Sequence, residues 1–226
     1  MSEQRGEAAR YVAIITDGNG RWARARGLPV GEGHRAGADN LKQILRDAGE
    51  LGVQELTVYS FSTENWTRPQ EEVSGLMAMF AERIVDETPE LHENGVRLRF
   101  LGRREDVDPA LVEQMAWAEE LTDANDQITL FVAFNYGGRA EIVDAARRFE
   151  GGDEDDFRAL LYAPEMHEPD LIIRTSGEQR LSNFLLWQSA YSELVFRDEL
   201  WPDFDRVALE ASIDEYRARR RRFGGR

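Results

Sequence analysis

Apolar positions recur along this chain with two periods, and each change of period marks an element. Tyr11 to Ile15 is an uninterrupted, β-branched apolar run, the pattern of a strand buried on both faces of a parallel sheet. Leu56 to Phe61, Val96 to Leu101, Ile128 to Phe134 and Asp170 to Arg174 read as four further strands, the second of these by strict alternation. Between the strands the period lengthens. Leu41, Ile44, Leu45, Ala48 and Leu51 keep helical spacing in a segment that begins near His34 and stops at Gly52. Val73, Leu76, Met77, Phe80, Ile84 and Leu91 define a long helix that Pro89 is expected to kink or end early. Asp108-Pro109 opens a helix to about Thr122. An Ala-rich helix runs from Arg139 to about Phe149, a short one precedes Pro164, and Leu209, Ile213 and Tyr216 share one face of a last helix. Leu185 to Phe196 is expected to hold a turn of helix and a sixth strand. Ala23 to Pro29 reads as a basic loop and Asp153 to Asp156 as a solvated acidic one.

Strands and helices alternate without a linker or internal repeat. That predicts a single α/β domain over residues 11–226, with a mainly parallel six-stranded sheet flanked by helices, behind a flexible N-terminus of residues 1–10. The 226 residues suffice for a substantial core. Cysteine is absent, which excludes thiol catalysis, disulfides and Cys-based zinc sites. A net charge of −15 argues against nucleic acid as a partner. An acidic chain that binds an anion must gather its arginines locally. No run approaches the ~20 apolar residues of a membrane span, and the first seven residues lack the apolar core of a signal peptide. A cytoplasmic location is expected, with peripheral membrane contact left open.

In open parallel sheets ligands bind beyond the carboxyl ends of the strands. Four strand ends here carry polar clusters: Asp17 to Trp22, Ser62 to Arg68, Asn135 to Arg139, and Arg174 to Ser182. A parallel sheet would bring them to one edge. Gly18 and Gly20 let the backbone turn tightly and its amides approach a ligand, and Arg21 suits an anion. Asp17 would repel a phosphate unless a cation lay between them, so the stretch reads as a magnesium-diphosphate site. Arg174 and Arg180 around Gly177, with Ser182 behind, match what a diphosphate requires. Trp66 suits an aromatic wall, with Asn65 and Arg68 at its charged end. His34 is placed to donate to a phosphate, whereas His92 reads as surface. Glu193, in an apolar stretch, is a surface residue or a partner for a buried cation. Gly18-x-Gly20-x-x-Ala23 also loosely matches the dinucleotide fingerprint of an oxidoreductase, with Glu64 as ribose ligand. Asp17 and the bulky Arg21 and Trp22 count against that reading.

Taken together, Asp17-Gly-Asn-Gly-Arg-Trp-Ala, Gly33-His34-x-Ala-Gly37, Phe61-Ser-Thr-Glu-Asn-Trp66-x-Arg-Pro69, Asn135-Tyr-Gly-Gly-Arg139, Arg174-Thr-x-Gly-Glu178, Arg180-x-Ser-Asn-Phe184 and Trp201-Pro-Asp-Phe resemble the cis-prenyltransferases. These are the undecaprenyl diphosphate synthase-like isoprenyl transferases, and the resemblance runs from about Tyr11 to Gly225. It implies a non-Rossmann α/β fold with a hydrophobic tunnel, and a homodimer. It implies Mg2+-dependent condensation of isopentenyl diphosphate with an allylic diphosphate in cis (Z) configuration, giving a polyprenyl diphosphate of the lipid-carrier type. By the same resemblance Asp17 holds Mg2+ and helps the allylic diphosphate leave, and Glu193 is the second metal ligand. Gly18, Asn19, Gly20, Arg21 and His34 cradle that diphosphate, while Trp22 and Trp66 line the path. Asn65 is the implied proton acceptor, with a substrate phosphate as rival because a neutral amide is a very poor base. Ser62, Thr63, Glu64 and Arg68 surround the reacting carbons, and Arg174, Arg180, Leu181 and Ser182 bind isopentenyl diphosphate. The Arg222-x-Gly224 tail completes the partner's site.

Two positions depart from the family's pattern. Val30 stands where many members place an arginine, and Gln179 where some have a histidine. Some relatives are non-catalytic partner subunits. The presence of Asp17, Asn65, Arg174, Arg180 and Glu193 favours a working enzyme. The tunnel is expected between the long helix and the strand Ile128 to Phe134, with Phe80, Phe131 and Phe134 as candidates to shorten it.

Overall fold

The computed structural model describes residues 8–219. Six strands, β1 (Tyr11–Ile15), β2 (Glu55–Ser62), β3 (Val96–Leu101), β4 (Ile128–Tyr136), β5 (Leu171–Arg174) and β6 (Glu193–Phe196), form one sheet in the order β3-β4-β2-β1-β5-β6. Every neighbouring pair is parallel. The helices are α1 (Asn19–Ala25), α2 (Val30–Glu50), α3 (Gln70–Glu93), α4 (Pro109–Leu121), α5 (Gly138–Ala146), α6 (Glu154–Arg158) and α7 (Arg206–Ala218). A 3-10 turn, Thr63–Thr67, joins β2 to α3.

The sheet is buried on both faces around β1, which is apolar at every position, and β5, whose residues are all buried. In β1, Val12 and Ile14 enter the larger core, which α2, α3, α4 and α7 cover, while Ala13 and Ile15 enter a second one. Phe184 and Leu185 help to cover that second face. With all strands parallel, the carboxyl ends of β1, β2, β4 and β5 share one edge, and the four polar clusters follow them there. Among the described residues no helix is long and apolar enough to cross a membrane.

The structure redraws several elements. The opening motif and the first part of the expected basic loop are helix α1, because Ala23 is buried against α2 through a surface that small residues permit. α2 starts at Val30 rather than near His34. α3 passes straight through Pro89: Ile84 and Thr88 are buried and Leu91 packs on the core, so packing outweighs the single lost hydrogen bond. The acidic run is no plain loop. Asp153 caps α6, accepting from the amides of Asp155 and Asp156. Leu185 to Ser192 forms turns without a helix. Order also begins before Tyr11: Ala9 is buried and the amide of Arg10 donates to Asp170 at 3.0 Å.

Candidate active site

The site is built around a buried arginine at the end of β5. Arg174 is 4 % exposed. Its Nη2 donates to Asp17 Oδ2 at 3.0 Å, and its Nη1 donates to Ser182 Oγ at 2.7 Å and to the Arg180 carbonyl. One guanidinium therefore ties the end of β1 to both sides of the loop after β5. Thr175 strengthens the junction, accepting from the Asp17 amide at 3.0 Å and donating to the Asp17 carbonyl at 2.7 Å. Arg21 reaches back from α1 to the Ser176 carbonyl at 3.0 Å, to the Ser176 hydroxyl, and to within 3.4 Å of Asp17 Oδ2.

Burial alone would raise the pKa of Asp17. Hydrogen bonds from Arg174 and Ser176 and the charges of Arg174 and Arg21 outweigh it, holding the carboxyl below the usual carboxylate range. The site thus keeps an ionised carboxylate that two guanidiniums contact.

The glycines around Asp17 are required by close packing. Gly18 sits at φ 112°, and a Cβ there would meet Leu200 at 2.9 Å. A Cβ on Gly33 would lie 2.1 Å from the Asn19 carbonyl oxygen, and one on Gly37 would lie 2.3 Å from Asn19 Oδ1. These contacts seat the first turn of α1 on α2. Asn19 Oδ1 and Arg174 Nε are buried without a hydrogen-bond partner among the described residues, so the site holds polar atoms that a ligand would satisfy. His34 lies 3.5 Å from Glu72, which also accepts from Arg68 at 3.0 Å. Burial, then the charge of Arg68, lowers the His34 pKa against the opposing pull of Glu72, leaving the ring neutral at pH 7.

The loop after β2 closes the other side. Asn65 Oδ1 accepts from the Ser62 amide at 3.0 Å, half of a reciprocal cap that starts the 3-10 turn. Its amide oxygen therefore serves the backbone. Glu64 accepts from Asn183 Nδ2 at 2.8 Å and from the Thr63 hydroxyl at 3.2 Å. Burial pushes its pKa up, and these bonds more than reverse the effect. Asn183 also accepts from the amides of Arg139, at 2.8 Å, and Gly138, at 2.7 Å. One asparagine thus binds three loops. Ser176, Ser182, Asn183 and Leu185 all have positive φ, strain of about 1–3 kcal/mol each that a surrounding framework must hold.

Beyond His34 a cavity of about 130 Å3, partly open to solvent, runs between α2, α3 and the sheet. Leu76, Met79 and Phe80 of α3 face Leu98 of β3 and Leu130 and Val132 of β4 across it. It lies where the tunnel was expected, with Phe80 on its wall. Phe131 and Phe134 are fully buried and do not line it.

Family comparison agrees with this geometry. The family model described as undecaprenyl diphosphate synthase (Prenyltransf) matches residues 15–224. This chain belongs to that prenyltransferase family. It is 50 % identical over 232 residues to Isoprenyl transferase 2 of Bradyrhizobium diazoefficiens, covering 98 % of this chain and 92 % of the relative. It is 51 % identical over 221 residues to Isoprenyl transferase of Fusobacterium nucleatum, covering 96 % of each. The crystal structure of lavandulyl diphosphate synthase from Lavandula x intermedia, in complex with dimethylallyl diphosphate, superposes with a TM-score of 0.91 at 35 % identity, covering 96 % of this chain and 99 % of that one. The chain is thus a prenyl-transferring enzyme, and its fold is that of the prenyltransferases.

Within this prenyltransferase the expected residues divide. Asp17, Gly18, Asn19, Gly20, Arg21, Arg174 and Ser182 gather at the ends of β1 and β5. Ser62, Thr63, Glu64 and Asn65 stand opposite, joined to the β5 loop through Asn183. Arg180 is at the same edge with its side chain 61 % exposed, paired to Glu178. Leu181 packs against the second core. Neither tryptophan lines the cavity. Trp22 donates to Asp203 at 2.7 Å beneath the Arg26 guanidinium. Trp66 donates to Asn135 Oδ1 at 2.8 Å and packs edge-on against Phe61.

Glu193 is not brought to Asp17 within this chain. It pairs with Leu171, three positions before Arg174, which leaves it about 10 Å back along the sheet, and it accepts from Arg219 at 2.8 Å. The expected Arg222-x-Gly224 tail lies outside the described residues. Thr175, Ser176 and Asn183 are the functional positions the sequence reading passed over. All three sit inside quoted motifs, but small polar residues carry no signal of their own until their partners are known.

Proposed function

We propose that this enzyme condenses isopentenyl diphosphate with an allylic diphosphate in cis (Z) configuration, releasing diphosphate and building a polyprenyl diphosphate of the lipid-carrier type. The observation that carries the reading is the Arg174 junction. A buried cation joins Asp17 to Ser182, and so joins two anion-binding loops at one mouth of an apolar cavity. The dimethylallyl diphosphate in the lavandulyl diphosphate synthase complex supports an allylic substrate for this fold.

In the reaction the allylic carbon–oxygen bond breaks and diphosphate leaves. The allylic carbon bonds to the terminal alkene carbon of isopentenyl diphosphate, which leaves a positive charge on the methyl-bearing carbon. The CH2 on the far side of that carbon then loses a proton to form the new double bond. Negative charge grows on the departing oxygen. Arg21, the amides of Gly18 to Gly20 at the start of α1 and His34 would stabilise it, since such groups act where charge develops. Arg174, Arg180 and Ser182 would hold the second diphosphate. Asp17 would hold Mg2+, because Mg2+ is ordinarily bound by one or two carboxylates together with substrate phosphates. When bound, the ion offsets the charge on the leaving group. Asn65 is committed to capping and is a poor base, so a substrate phosphate oxygen better suits the proton. The growing chain would enter the cavity beyond His34. Homodimer formation, the cytoplasmic location and peripheral membrane contact belong to the same proposal.

Incubating the enzyme with both diphosphates and Mg2+, then reading product geometry by NMR, tests the reading. A new Z double bond per added unit is expected, with loss of product on chelation. An E product, or none in saturating Mg2+, would overturn it.

A further inference from the structure

The cavity wall is polar at its mouth, at Thr16, Asn19, His34 and Ser60, and mostly apolar beyond, but charged side chains interrupt that deeper stretch. Arg83 and Glu87 of α3 line it there. Arg83 Nη1 lies 2.6 Å from Glu87 Oε1 and 2.6 Å from Asp39 Oδ1 on α2. The side chains of Arg83 and Glu87 are 27 % and 18 % exposed, and that of Asp39 is 66 % exposed. The triad therefore spans the seam between α2 and α3, from solvent to cavity, and sums to one negative charge. Leu76, Met79 and Phe80 lie on the site's side of it, and Leu91 lies beyond.

A hydrocarbon chain passing that level must displace water from charges that are only partly exposed. It offers them no partner in exchange, and uncompensated desolvation of charge is costly. Bulk does not explain a stop at this level, since apolar lining continues past it. On the prenyl-transfer reading of the site, the chain enters from the Asp17 edge and grows toward the triad. We propose that Asp39, Arg83 and Glu87 are specificity-determining residues that limit product length by charge rather than by size.

Charge and bulk predict different patterns. Glu87→Met replaces an acid by an apolar side chain of similar length and leaves Asp39 and Arg83 as a neutral pair. Arg83→Met instead leaves two carboxylates without their cation. The double variant leaves only Asp39, which solvent can reach. Full-length enzymes are given one fixed allylic primer with labelled isopentenyl diphosphate, and products are sized by mass spectrometry. Glu87→Met and the double variant should lengthen the product by at least one five-carbon unit, and Arg83→Met should not. Glu87→Gln keeps the shape and a hydrogen-bond acceptor, and should shift length the same way if the Met variant fails to fold. Wild-type product length in the folded Glu87 and double variants would overturn the triad's role. Absence of any wild-type product would instead overturn the reading of the site.

Discussion

At the scale of single residues, the site depends less on its charged groups alone than on the small polar residues that aim them. Asn183 is the clearest case. It occupies φ 67°, a conformation that asparagine and glycine tolerate and alanine adopts at a cost of about 1–2 kcal/mol. Its side chain joins Glu64 to the backbone at Arg139. Two variants separate these contributions. Asn183→Gly and Asn183→Ala should both raise KM for isopentenyl diphosphate, about tenfold, because each releases the loop that carries Ser182. Only the alanine variant should also carry the backbone penalty, melting below the glycine variant by the equivalent of about 1 kcal/mol. An unchanged KM in both would remove Asn183 from the positioning machinery. Trp66 is aimed in the same way: its indole N–H donates to Asn135 and its ring packs edge-on against Phe61.

At the scale of elements, the α1–α2 contact positions the Asp17 loop. Helix α1 has seven residues and no side-chain cap, too short to persist without packing. Gly33 and Gly37 supply that packing by letting the Asn19 backbone and side chain settle on α2. Gly33→Ala would drive a methyl group into the Asn19 carbonyl. The expected cost is about 1–3 kcal/mol of stability, read by denaturant unfolding, together with weakened binding of the allylic diphosphate. A full-strength transition midpoint in Gly33→Ala would show that α1 is seated by something else.

The elements were legible where one apolar period ran uninterrupted, as in β1, β3 and α7, whose face Leu209, Ile213 and Tyr216 is buried. They were misread where function or packing overrides local preference. Gly18 to Gly20 looked like loop because the glycines there answer to tertiary contacts. Pro89 looked like a helix end because its penalty is local, while the packing that carries α3 past it is not.

At the scale of the whole molecule, the parallel order of the sheet is what makes four sequence clusters into one site. Each cluster alone has a bland reading, but strand register leaves them no separate places to go. The convergence was legible because alternation of strands and helices implies parallel pairing. The same register sets Glu193 apart from Asp17 within this chain, since β6 enters the sheet at that residue and its carboxylate meets Arg219. Net charge tells a similar story. A chain at −15 concentrates Arg21 and Arg174 around one ionised aspartate, which gathers positive charge at one place in an acidic molecule.

That arrangement makes Asp17 the residue on which the account depends. The most direct measurement is incorporation of labelled isopentenyl diphosphate onto an allylic diphosphate, with wild type and Asp17→Ala compared in saturating Mg2+ and the fold of each checked by circular dichroism. The wild type should extend the primer, and the folded variant should lose at least a hundredfold in turnover. A folded Asp17→Ala enzyme that works at near-wild-type rate would contradict the account.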